Sequence, residues 1–206
     1  TRLKSEYEPV VDEVVKLVRT QFAGIFGNLL LVIPFTLFFS YLSDLTFGTK
    51  LFTPAYAEKS FHAHVIYGPS LIYAAFTGVL LWLAGVITGW ADNWFHFNQI
   101  SKAIRQNRVF YLSLGEDGTE KLTDFLERNF SSLVGNISLG FLLGLFPAFL
   151  KFFGLPIEVR HVTLATGTLT ASLYTMGFGF IKSPLFWWAV MGIVAIGLMN
   201  LTVSFA

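Results

Sequence analysis

Four blocks of this chain, residues 22–43, 65–91, 129–150 and 183–206, contain no Asp, Glu, Lys or Arg, although 14 basic and 13 acidic residues are distributed through the segments between. A helix needs about 20 consecutive, mostly apolar residues to cross the ~30 Å hydrocarbon core of a bilayer. Each block meets that length, so the pattern predicts an all-α integral membrane protein with four transmembrane helices. Composition agrees: 54% of residues are hydrophobic and 17% aromatic, with Phe alone occurring 23 times, which leaves too little charge for a soluble surface. A net charge of +1 argues against a polyanion-binding domain, which needs clustered cations. Without cysteine there can be no disulfide, thiolate metal site or cysteine nucleophile. The chain begins without Met and stops inside an apolar block, so a piece of a longer protein is the expectation.

Residues 1–21 read as an amphipathic cytosolic helix, with Val10, Val11, Val14, Val15, Leu17 and Val18 at helical spacing among Asp12, Glu13, Lys16 and Arg19. It leads into a first two-span unit, 22–91, whose first span carries Asn28 and Pro34, the latter favouring a kink. Asp44 to Gly68 reads as a polar connection. A cytosolic connection over 92–128 is expected to hold two short helices separated by the turn Gly115-Glu116-Asp117-Gly118. A second two-span unit then occupies 129–206. Basic residues are more frequent in the N-terminal and middle segments than in the other two connections, which predicts both termini on the cytoplasmic side of a bacterial inner membrane. Trp90 and Trp94 would then mark the inner interface, and Trp187 and Trp188 the outer one.

Residues 162–181 are uncharged but rich in Thr and Gly. A fifth crossing here would leave only Lys182 and Ser183 before the last span and would carry the C-terminus outside. A re-entrant or externally lying helix is therefore expected, its backbone satisfied by protein or water.

The run Phe22 to Leu31 matches Phe130 to Leu139 at an offset of 108 residues, with Phe, Gly, Asn and Leu shared, and places Gly27-Asn28 opposite Gly135-Asn136. The expected architecture is thus two parallel two-span repeats. An amide in hydrocarbon is costly and turns to another helix, a cavity or water, so Asn28, Asn136 and Asn200 are the candidate intramembrane polar groups, either packing helices or lining a path for ions or small neutral solutes. Gly85 with Gly89, and Gly140 with Gly144, form small-xxx-small faces suited to close helix packing within the chain or between copies. His62, His64 and His161, with Glu58 and Glu158 nearby, are the candidates to meet as a metal site on the outer face, and without a second strong ligand pair no metal or other cofactor is expected. No Gly-x-Ser-x-Gly, His-Glu-x-x-His or Gly-x-x-x-x-Gly-Lys run occurs, so no catalytic residue is assigned.

The runs Gly89 to Phe95, Leu126 to Asn129, Gly135 to Gly144 and Val159 to Gly167, in that order, resemble the bacterial family described as site-specific recombinase transmembrane proteins. The resemblance implies an inner-membrane protein of several hundred residues with a helical cytosolic part before this one, and it carries a recombinase label. Recombination needs a Ser or Tyr nucleophile in a basic cleft open to a duplex. The chain has no His-x-x-Arg, and its Arg160-His161 pair falls in an outer connection. The expected role is therefore structural, in assembly or partner binding, with the bilayer, other membrane proteins or further copies of itself as partners and no nucleic-acid contact. The alternative is a channel or carrier.

Overall fold

A computed structural model describes residues 2–155 and 157–205, with the side chains of the first 18 residues described only in part. The described residues are helical, with no strand among them. Four helices are long and apolar enough to cross a membrane: Arg19–Phe47, Ser70–Phe97, Arg108–Phe152 and Pro184–Phe205. The protein is an all-helical chain with four span-length apolar helices, as its uncharged blocks require.

The amphipathic segment and the first span are one helix, α1 (Arg2–Phe47), which runs through Pro34 without interruption. Val11 and Val15 are exposed on it, and the face expected for Val10, Val14, Leu17 and Val18 lies outside the described residues. The connection after it is less irregular than expected, because it contains α2 (Pro54–Ala63). The local cause is legible: the Thr53 side chain accepts from the Tyr56 backbone N–H at 3.3 Å, and Pro54 takes the first turn, where its missing donor does no harm. Helix α3 (Ser70–Phe97) continues past Trp90 and Trp94.

The expected pair of short helices in the middle connection is also revised. Helix α4 covers Ile100–Arg105, and α5 (Arg108–Gly140) is capped by Asn107 and broken only at Gly115, at φ 71° and ψ 178°. Glu116, Asp117 and Gly118 already belong to the helix that becomes the third span, so the predicted four-residue turn is a one-residue break. Further on, Phe141–Leu145 is π-helical, and the Phe146 N–H bonds five residues back to Phe141. Pro147, second in α6 (Phe146–Phe152), explains it: having no N–H and a ring that crowds the preceding turn, it is accommodated by a widened turn. After an extended stretch come α7 (Val162–Met176), a 3₁₀ turn over Phe178–Lys182, and α8 (Pro184–Phe205).

By their contacts the helices fall into two compact units, residues 1–76 with 160–204, and residues 77–159. The first unit groups α1, α2, α7 and α8 with the opening turns of α3; the second holds the rest of α3 with α4, α5 and α6. Sequence order pairs the spans differently, as α1 with α3 and α5 with α8.

In the first unit α7 is the central element. Its neighbours along α1 rise in step with it: Ile25 and Leu29 pack on the cluster of Val162 and Ala165, Gly167 lies against Val32 and Thr36, and Tyr174 reaches Asp44. The two helices are therefore parallel. Against α8 the order reverses, Val162 meeting Ile196 and Gly197 while Leu169 meets Ala189, so that pair is antiparallel. Helix α2 closes a third side through Phe61, fully buried among Leu169, Ala189 and the rings of Phe180 and Phe186.

The second unit turns on a close crossing at Gly135 of α5. A Cβ there would collide with the Thr88 hydroxyl of α3, and that hydroxyl is held in place by its own bond to the Ala84 carbonyl at 2.8 Å. Phe95, Trp94 and Phe130 stack beside it. Helix α4 lies along α5 through Arg105, which pairs with Asp124 at 2.8 Å.

Candidate functional site

Helix α7 has seven Thr, Ser and Tyr residues in fifteen, yet much of it is buried, including Thr166, Thr170, Ser172 and Thr175. Local chemistry resolves the contradiction. Each of these four hydroxyls donates to the carbonyl four residues earlier in α7, at 2.8 to 3.0 Å. The polar atoms thus fold back onto their own helix, and the threonines present methyl groups to their neighbours. Such a helix packs like an apolar one.

Its ends need help from elsewhere, because the first N–H and last C=O groups of a helix have no partner within it. His161 occupies the N-cap position and supplies no side-chain cap. Asn200 of α8 does so instead. Its Oδ1 accepts from the Val162 N–H at 3.1 Å, while its Nδ2 donates to the Ala74 carbonyl of α3 at 2.9 Å and the Arg160 carbonyl at 3.0 Å. One amide, 2% exposed, joins three separate stretches of chain. At the other end of α7 the Lys50 ammonium donates to the Thr175 carbonyl at 3.0 Å, a cation where the helix dipole favours one. Nearby the Tyr174 hydroxyl donates to an Asp44 carboxylate oxygen at 3.1 Å.

Two residues before α7, Arg160 donates from Nη1 to Nε2 of His64 at 2.9 Å, and the His64 Nδ1 donates to the Ser60 carbonyl at 2.7 Å. The tautomer follows from the partners, since a carbonyl can only accept and a guanidinium can only donate. Beside it the backbone carbonyl of His64 rests on Gly192 of α8, where an added Cβ would overlap it. Ser70 completes the connection by donating to the Ala63 carbonyl at 2.6 Å.

The other candidates are dispersed. Asn28 and Asn136 are exposed on α1 and α5. Gly135 is at a helix crossing, whereas a Cβ at Gly27, Gly85, Gly89, Gly140 or Gly144 would meet nothing within 4 Å, so these glycines are open faces rather than contacts inside the chain. Trp90, Trp94, Trp187 and Trp188 are exposed. Of the histidines, His62 is exposed, His161 half-buried, and His64 buried with its Nε2 lone pair committed to Arg160. Burial holds the His161 imidazole below its ordinary value of 6.5, since the charged form loses solvation. Among the described residues no three or more His, Asp or Glu side chains are grouped to hold a metal ion.

The arrangement thus binds chain to chain. Across its whole length, residues 1–206, the chain matches the model of a family described as site-specific recombinase. It is a member of the site-specific recombinase family. No curated protein and no solved structure matches it. In this family member Arg160 and His161, the nearest approach to a catalytic Arg and His pair, are built into the packing around α7: the Arg160 side chain is bonded to His64 and its carbonyl to Asn200. Asn200 was legible as a polar group in the last span. Its role was not, because the one donor and two acceptors it binds lie 38, 40 and 126 residues away.

Proposed function

We propose that this chain is a packed helical module of the bacterial inner membrane, with both ends cytoplasmic, serving assembly and partner binding rather than strand exchange. The observation that carries the reading is Asn200. Its acceptor and both its donors are spent on holding α8, α7 and α3 together. An amide used this way is a packing device. Helix α7, about 22 Å long by its fifteen residues, falls short of a bilayer crossing and is read as re-entrant. Capping of its two ends by Asn200 and Lys50 supports that, since backbone at membrane depth needs every polar group satisfied. The two-span repeat is read as an ancestral duplication whose copies have since diverged, Gly135 being closely packed where Gly27 is open.

Strand exchange finds little to work with. In the middle connection Arg105 and Arg128 share Asp124, and Arg105 also approaches Glu127, so these two cations are partly neutralised within the protein. A solute path would rest on Asn28 and Asn136, each exposed on its own helix. The open glycine faces at Gly85 with Gly89 and Gly140 with Gly144 are read as surfaces for other membrane proteins or further copies of this chain.

Two measurements test this. Purified protein incubated with labelled duplex DNA should give no covalent adduct and no exchanged strand; a phosphoserine- or phosphotyrosine-linked adduct would overturn the reading. A photo-crosslinking residue at exposed Val86 or Phe141 should capture protein in native membranes, and capture of lipid alone would remove the partner-binding role.

A further inference from the structure

His64 closes α2 and is 4% exposed. Its ring is held between an obligate acceptor, the Ser60 carbonyl, and an obligate donor, the Arg160 guanidinium. That geometry specifies a neutral imidazole with its proton on Nδ1. The same residue sets the closest approach of α2 to α8, its carbonyl carbon lying 2.9 Å from where a Gly192 Cβ would stand. One residue therefore carries both the side-chain bond to Arg160 and, through its backbone carbonyl, the contact that seats α2 on α8.

We propose that His64 is a pH-operated latch that holds the end of α2 against α8 when neutral and releases it when protonated. Protonation of Nε2 removes the lone pair that Arg160 donates to, and it sets an imidazolium against a guanidinium at a separation of 2.9 Å with little water between them. The surrounding elements offer α8 no part in compensating this, since Pro184–Phe205 has no titratable side chain. On α7 the only titratable residue is Tyr174, engaged with Asp44 of α1 near the opposite end of the helix. Helix α2 carries Glu58, Lys59 and His62, all exposed; α3 opens with Tyr73; and the stretch before α7 carries Glu158, Arg160 and His161. Of the cations among these, Arg160 bonds the His64 ring directly.

The absence of cysteine makes the test clean. Spin labels on Lys59→Cys and Met191→Cys, exposed positions on α2 and α8, report their separation in the whole protein in lipid nanodiscs by pulsed electron resonance. A single short distance is expected at pH 8, with a longer-distance population that grows severalfold as pH falls from 8 to 5. His64→Gln, whose amide can still accept from Arg160 and donate to Ser60 without titrating, should stay closed at pH 5. Arg160→Met, lacking the opposing cation, should open less, whereas His62→Gln and His161→Gln should open as the unmodified chain does. Identical distances at pH 8 and pH 5 overturn the latch. So does pH-dependent opening of His64→Gln, or an unchanged response in Arg160→Met.

Discussion

At the scale of single residues, three asparagines that look alike in sequence have unlike surroundings, and substitution separates them. Asn200→Leu leaves the Val162 N–H buried without its acceptor, a loss of about 1–3 kcal/mol. Asn28→Leu and Asn136→Leu remove exposed amides and should change stability by less than about 0.5 kcal/mol. Reversible unfolding in mixed micelles measures all three, and equal losses would contradict the packing described here. His161 gives a pH dependence of definite sign. Its folded-state pKa is depressed, so its contribution to stability is fully present above 6.5 and is lost as pH falls from there through the lower folded-state value. Melting temperature should therefore decline below about pH 6.5, and His161→Gln should remove part of that decline while leaving the value at pH 8 nearly unchanged.

The next scale is that of the helices. Gly192→Ala would drive a methyl group into the His64 carbonyl, an overpacking penalty of about 1–3 kcal/mol that should loosen α2 without unfolding α1 or α8. Limited proteolysis checks this: cleavage between residues 48 and 69 should accelerate severalfold while the spans stay protected. The spans themselves were legible in the sequence because bilayer thickness imposes an uninterrupted apolar length, which one chain shows directly. Helix α2 was signalled only by Thr53-Pro54, a cap that is easily passed over inside a polar connection. The burial of α7 was hidden for another reason. Hydropathy counts a threonine hydroxyl as exposed polarity, whereas Thr166, Thr170 and Thr175 each spend theirs on a carbonyl one turn back. The π-helical turn before Pro147 was written in the proline, but whether a helix kinks, breaks or widens there depends on its surroundings.

On the scale of the whole molecule, the orientation expected from basic residues is directly testable in a chain without cysteine. Single cysteines replacing Lys59 and Lys102, on opposite sides of the second span, should differ in labelling by a membrane-impermeant maleimide in intact cells. The first should react at once and the second only after permeabilisation. The reverse order would invert the topology. The long-range bonds of Asn200 also bear on how such a molecule is made. A ribosome delivers α7 before α8, and the amide that caps the first N–H of α7 lies 38 residues further along the chain. Until residue 200 has been synthesised and its helix inserted, the start of α7 must keep its hydrogen bonds to water. Burial of α7 thus waits in biogenesis for the arrival of α8.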